Sequence, residues 1–177
     1  MTSYTTVKTQ SLGDLLLVAN DTQLTGVYYA DSKHAPAIKG DWKNNPEHPV
    51  LQQAREEILG FLQGQRTSFS VPLHFSGTNF QQKVWTQLAK IPFGETISYS
   101  ELARRAGAPS AVRAAGSANG KNPLSIIIPC HRVISKDGTL GGYAGRVHRK
   151  QRLLEIEQNP PQPEGLAHSR RGQRPPD

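Results

Sequence analysis

The chain has a single cysteine, and that scarcity excludes more than it suggests. One thiol cannot close an internal disulfide or build a multi-cysteine zinc site. The six histidines, at 34, 48, 74, 131, 148 and 168, lack ligand spacing, so neither a metal nor a cofactor is expected. No apolar run approaches the roughly 20 residues needed to cross a bilayer. The longest candidate, Leu12 to Ala19, is broken by Gly13 and Asp14. The opening Met1-Thr2-Ser3-Tyr4-Thr5 lacks the basic-then-apolar order of a signal peptide. The expectation is a cytoplasmic protein with no membrane contact.

What is present is unevenly charged. Residues 1–77 carry six Lys/Arg against seven Asp/Glu, whereas residues 78–158 carry twelve against five. Nearly all of the net +7 therefore sits in the second half. A local excess of cations suits a polyanionic partner, because lysine and arginine release condensed counterions when they meet phosphates. General solubility would explain the same charge, so the pattern alone does not decide.

The texture also changes near residue 78. Before it, Leu15–Ala19 and Leu24–Ala30 read as a hairpin around Asn20-Asp21, after a turn at Gly13. Val50 to Gln63 places Leu51, Ala54, Ile58, Leu59 and Leu62 on one helical face, with Gly64 as a stop. Phe69, Val71 and Leu73 alternate as a strand, and Pro72 confines that strand to an edge. After it come short helices. One starts at Thr78 or Asn79 and carries Phe80, Val84, Trp85 and Leu88; Ile91 to Gly94 ends it. Ser98 or Ser100 opens a second helix through Ala106, and Ser110 caps a third to about Asn119. Two short helices about a glycine turn fit a helix-turn-helix, a pattern that ordinary helical hairpins share. The third helix surrounds Arg113 with Ala111, Ala114, Ala115, Gly116, Ser117 and Ala118. Such small side chains allow close approach, either to a groove of DNA or to another helix. From residue 159 the chain is rich in proline and arginine and reads as a disordered tail. The organisation is thus 1–77, 78–158 and a tail, 159–177.

A solitary cysteine is ordinarily a small buried hydrophobe. Cys130 has unusual neighbours. The apolar run Ser125-Ile126-Ile127-Ile128 stops at Pro129, and Cys130-His131-Arg132-Val133 follows. A nucleophilic cysteine must ionise, which positive neighbours favour and apolar burial opposes. His131, Arg132, Lys121 and Arg113 are candidate sources of that potential. In an extended segment adjacent side chains point to opposite faces, so His131 meets the sulfur only through a tight turn or a water.

Pro129-Cys130-His131-Arg132-Val133 resembles the reactive motif of the O6-alkylguanine-DNA alkyltransferase family. Further segments are similar to it in order and spacing: Gly94–Tyr99, Arg113–Gly116, Asn119–Pro123, Gly138, Gly141–Gly145 and Arg149 to Glu157. The resemblance spans about residues 78–158, and residues 1–77 agree in general character. It implies a small antiparallel sheet with a helix, ribonuclease H-like, followed by a mostly helical winged helix-turn-helix domain. It also implies direct, irreversible transfer of an alkyl group from guanine O6, or from O4-alkylthymine, to Cys130. By the same resemblance His131 and Glu157 remove the thiol proton through a water, Asn122 is a hinge, and Tyr99 protonates the departing guanine. Arg113, Ala114, Ala115, Gly116, Ser117, Tyr99 and Arg132 would contact DNA in the minor groove, with Arg113 replacing an extruded base. Gly141, Gly142, Tyr143, Ala144 and Gly145 would wall its pocket.

The partner implied is duplex DNA carrying alkylated guanine, without an obligate protein partner and with a monomer off DNA. Little sequence preference and strong salt dependence follow from backbone and shape contacts. Gln151-Arg152 and Arg146 depart from the family pattern at a surface or DNA contact. A lesion sensor without transfer would lack the cysteine, and a transcription regulator would show sequence preference and half-sites.

Overall fold

The computed structural model describes residues 1–140 and 147–161. Its first half is a four-stranded sheet in the order β3-β2-β1-β4. Strands β1 (Ser3–Thr9), β2 (Gly13–Ala19) and β3 (Leu24–Tyr29) form an antiparallel meander, and β4 (Lys43–Asn44) joins β1 in parallel. The hairpin anticipated around Asn20 is present. The Asn20 Oδ1 atom accepts from the amides of Thr22 and Gln23 at 2.9 and 2.7 Å, an Asx turn that reverses the chain.

Strand β1 escaped the sequence reading for a physical reason. Its inward positions are Ser3, Thr5 and Val7, so the period-two burial is real but two of the three buried side chains are polar. The strand expected at Phe69–Leu73 is reduced to one bridge. The amide of Leu24 donates to the Pro72 carbonyl at 2.8 Å, and that of His74 to the Leu24 carbonyl at 2.9 Å. Proline removes the donor that a longer ladder would need.

Helix α1 (Pro49–Leu62) lies across the sheet and buries Leu51, Ala54, Ile58 and Phe61. Gly64, at φ 78°, ends it. The Gly64 amide donates to Phe61 O and the Gln65 amide to Gly60 O, the paired bonds of a Schellman cap. The buried Glu57 accepts from the Ser70 amide, the Ser70 hydroxyl and the Val71 amide at 2.9, 2.7 and 3.1 Å. Burial alone would raise its pKa, but these bonds and one from Gln53 outweigh it and hold the pKa down. This carboxylate ties the segment after α1 back onto the helix.

Helix α2 (Asn79–Leu88) begins in a capping box, in which Thr78 and Gln81 each bond the other's amide. Trp85 is buried and donates from its indole nitrogen to the Ala118 carbonyl at 2.9 Å. A Cβ added at Gly77 would lie 2.7 Å from two carbons of that ring. Gly77→Ala is therefore expected to cost roughly 1–3 kcal/mol by forcing Trp85 out of place. Urea denaturation followed by tryptophan fluorescence checks it, and an unchanged midpoint would sink the idea.

Strand β5 (Ile97–Ser98), helix α3 (Tyr99–Arg105) and helix α4 (Val112–Gly120) follow. Ser98 caps α3, its hydroxyl accepting from the Glu101 amide at 3.1 Å. Ser110 does not cap α4. Ala111 occupies that place without a side-chain bond, because the turn is closed instead by the Ala111 amide bonding the Ala108 carbonyl at 2.8 Å. A 3-10 turn at Cys130–Arg132, strand β6 (Val133–Ile134) and helix α5 (Val147–Gln158) complete the described chain. No helix among the described residues is long and apolar enough to cross a membrane. Beyond residue 161, the expected tail lies outside the described residues.

Candidate active site

Two short pairings bring the site together. Strand β5 runs parallel to β6, matching Ile97 with Val133 and Ser98 with Ile134. Tyr99 directly follows one strand and the Cys130–Arg132 turn directly precedes the other, so a two-residue ladder sets both. From the other domain, Val27 on the edge of β3 donates to the Pro123 carbonyl at 2.8 Å and accepts from the Ser125 amide at 3.1 Å. The sheet of the first half thus holds the segment that leads to the cysteine.

That segment is bent tightly. Ile126 is the one non-glycine residue with positive φ among the described residues, at 75°. The Ile127 amide donates to the Ser125 carbonyl at 2.8 Å across it, closing a γ-turn of the rarer hand. For a β-branched residue this backbone stores strain of order 1–3 kcal/mol. Pro129, at φ −82° and ψ 66°, centres a second, commoner γ-turn, with the Cys130 amide on the Ile128 carbonyl at 2.8 Å. Asn122 spans the bend. Its amide nitrogen donates to Ile128 O at 2.7 Å, and its oxygen accepts from the Leu124 amide at 2.9 Å. Asn119 donates to Cys130 O at 3.3 Å. The backbone at Cys130 is thereby fixed independently of its side chain.

Cys130 and His131 sit on a 3-10 turn rather than an extended strand, so their side chains leave the backbone about 120° apart and not on opposite faces. Both are buried. His131 Nε2 lies 2.6 Å from Glu157 Oε2, and His131 Nδ1 has no partner among the described residues. Burial pushes the imidazole pKa down; Glu157 opposes that shift, and the charges of Arg132 and Lys150 add to it. Burial would raise the Glu157 pKa, yet the bonds from His131 and Arg132 prevail and lower it.

Arg132 corrects one expectation. Its guanidinium is buried rather than presented to DNA. Nε donates to Glu157 Oε1 and Oε2 at 2.9 and 3.0 Å, Nη2 to Oε2 at 2.9 Å, and Nη1 to Ile91 O at 2.6 Å. It also lies 5.8 Å from the Phe93 ring centroid. A guanidinium buried against an internal carboxylate and carbonyl is not placed to meet a phosphate.

Ala115 is corrected in the same way. It is fully buried on the core side of α4, whereas Arg113, Ala114 and Ser117 are exposed. The small residues thus serve both readings, Ala115 and Ala118 against the core and the opposite stripe toward solvent. Gly116 lies against the Tyr99 ring, where a Cβ would be 3.5 Å from a ring carbon.

Lys150 is the residue the sequence reading missed. It is completely buried on α5, its Nζ 3.4 Å from the Tyr99 hydroxyl and 5.6 Å from that ring's centroid. Burial lowers its pKa, and the negative charge of an ionised Cys130 works against that shift. Burial raises the Tyr99 pKa, and the same sulfur charge raises it further. Lys150 fell within the Arg149-to-Glu157 segment of the resemblance, but nothing in the sequence told a buried ammonium from a surface one.

Neighbouring Arg149 turns to the first half instead, with Nη1 2.6 Å from Asp31 Oδ1 and its guanidinium 4.6 Å from the Tyr29 ring. The pocket expected from Gly141, Gly142, Tyr143, Ala144 and Gly145, and the departure at Arg146, lie outside the described residues. The departures at Gln151 and Arg152 are both exposed. Among the described residues no group of histidine, cysteine or carboxylate side chains is arranged to hold a metal.

A small sheet domain and a helical domain bearing a buried cysteine–histidine–glutamate cluster are the two parts that known sequences also separate. The 6-O-methylguanine DNA methyltransferase ribonuclease-like domain matches residues 3–75, and the DNA binding domain of the same name matches residues 79–159. The class is therefore a two-domain cysteine methyltransferase of DNA repair. Methylated-DNA–protein-cysteine methyltransferase of Mycobacterium leprae is 43% identical over 148 residues, covering 84% of this chain and 88% of that protein. The constitutive enzyme of Bacillus subtilis is 42% identical over 164 residues, covering 89% and 96%. The crystal structure of Mycobacterium tuberculosis OGT in complex with DNA superposes with a TM-score of 0.83 at 40% identity, covering 93% and 97%. The chain belongs to the 6-O-methylguanine DNA methyltransferase family.

Proposed function

We propose that the protein removes the alkyl group from O6 of guanine in duplex DNA and retains it on the Cys130 sulfur. The observation that carries this reading is the His131–Glu157 pair, which engages Nε2 and leaves Nδ1 without a partner among the described residues on the turn that bears Cys130. The Cys130 thiol gives its proton to Nδ1, directly or through one water. The thiolate attacks the alkyl carbon, forming the S–C bond as the C–O6 bond breaks, and the electron pair stays on guanine. Tyr99 protonates the guanine, and the Lys150 ammonium stabilises the phenolate until solvent restores its proton. A thioether is a poor leaving group, so each chain acts once.

The names of the relatives and the DNA complex of one of them support DNA as substrate. The exposed stripe Arg113, Ala114 and Ser117 supports insertion into a minor groove, with Arg113 filling the space of an extruded base. The loop Gly141–Gly145 would receive that base. O4-alkylthymine presents the same alkyl–oxygen bond and is a second substrate on this reading. The protein would act in the cytoplasm as a monomer, without metal or cofactor. Intact-protein mass spectrometry after mixing with a duplex containing O6-methylguanine is expected to show one added methyl group, on Cys130. Multiple turnover, or a methyl group elsewhere on the chain, overturns the reading.

A further inference from the structure

Arg132 is the member of the buried cluster to which the chemistry above gives no task. It is nonetheless heavily bonded, with three contacts to the two oxygens of Glu157 and one to the carbonyl of Ile91. Besides the neutral Gly94 amide at 3.4 Å, Glu157 faces two donors that can carry charge, the guanidinium and the imidazole, and one buried carboxylate balances only one cation. The guanidinium is permanently charged, so it claims that balance. The charged groups that bear on His131 are Arg132 on its own turn and Glu157 and Lys150 on α5. A proton added to His131 would place a third cation among Arg132, Lys150 and a single carboxylate.

We infer that Arg132 is a positioning residue for the transfer: by taking up the charge of Glu157 it keeps His131 a neutral imidazole protonated on Nε2. The Nε2 hydrogen is donated to Glu157 at 2.6 Å, and Nδ1 keeps its lone pair as the base. Burial and the neighbouring cations act in the same direction on the imidazole. Without the guanidinium, Glu157 would be an unbalanced anion against Nε2. It would draw a proton onto the ring, and Nδ1 would then carry a hydrogen and accept nothing. The orientation of Glu157 matters as well, since Arg132 bonds both of its oxygens and so restrains the carboxylate that meets the imidazole.

This inference rests on the proposed role of His131 as base, and the two can be tested apart. Nitrogen-15 NMR of the DNA-free full chain, with His131 assigned through His131→Gln, reads the tautomer directly. The wild type is expected to show a neutral ring protonated on Nε2 through the neutral pH range. An imidazolium, or a proton on Nδ1, overturns the inference whether or not the protein transfers alkyl groups. Failure to methylate Cys130 with the expected tautomer in place would count only against the function.

Single-turnover transfer rates against pH give the second arm. In Arg132→Gln the acid limb should move up by about one pH unit or more, the size expected on losing one adjacent buried charge. Arg132→Lys, which keeps charge but loses the fork, should fall between. A rate lowered equally at every pH, with an unmoved limb, would mean that Arg132 is structural only and sinks the inference. Should Arg132→Gln not fold, the wild-type tautomer and Arg132→Lys decide.

Discussion

Cys130→Ala is expected to bind a duplex containing O6-methylguanine about as well as the wild type and to take up no methyl group at all. The loss of transfer is total because no second thiol exists in the chain. Binding survives because the bonds that shape this turn are made by the backbone. The Cys130 amide bonds Ile128, and its carbonyl accepts from Asn119. Replacing a buried sulfur by hydrogen leaves a small cavity, worth on the order of 1 kcal/mol. The exposed residues of α4 are untouched. A binding titration beside intact-mass measurement checks both halves. Loss of binding in step with loss of transfer would show that the thiol itself recognises the lesion, and residual transfer would place the acceptor elsewhere.

The largest effect on stability should come from Glu157→Ala, which leaves the Arg132 guanidinium buried without its carboxylate. Breaking a buried pair in this way costs about 3–5 kcal/mol. The same residues set the response to acid. Folding lowers the pKa of both Glu157 and His131, so each binds protons more readily unfolded than folded. Their stabilising contribution is full above the unfolded values and declines as pH falls. The decline begins below the ordinary imidazole value of about 6.5 and deepens below the ordinary carboxylate value of about 4.3. Below about 4.3, denaturant midpoints should fall more steeply for the wild type than for Glu157→Gln, whereas the decline owed to His131, which begins below about 6.5, persists in both. Parallel pH profiles for the two proteins would contradict this account.

Much of the site was legible before any coordinates. The hairpin at Asn20, the helix over Val50–Gln63 and the cap at Thr78 are written in local chemistry, and each is present. The sequence also singled out Cys130, His131, Glu157, Tyr99 and Asn122, and the fold places all five around one bend. What it hid were matters of direction. Arg132 and Lys150 look like surface cations in a basic half, and only packing turns both inward. Ala115 and Ala114 are indistinguishable by type, yet one helical step puts one in the core and the other in solvent. Strand β1 was concealed because its buried side chains are mostly hydroxyl-bearing. The γ-turn at Ile126 has no local signature, since a β-branched residue is the last choice for positive φ.

The clamp between β3 and the segment leading to Cys130 has a consequence for how the protein is made. Val27 meets Pro123 and Ser125 across the domain boundary, and Asp31 meets Arg149 from 118 positions away. Contacts of such long range form late, after the local hairpins and helices exist. Synthesis runs from the N-terminus, so the sheet waits for the reactive turn and the turn waits for α5. A nascent chain that has released Cys130 but not Glu157 therefore lacks the carboxylate that His131 meets. The reactive turn is thus complete only when the last helix docks.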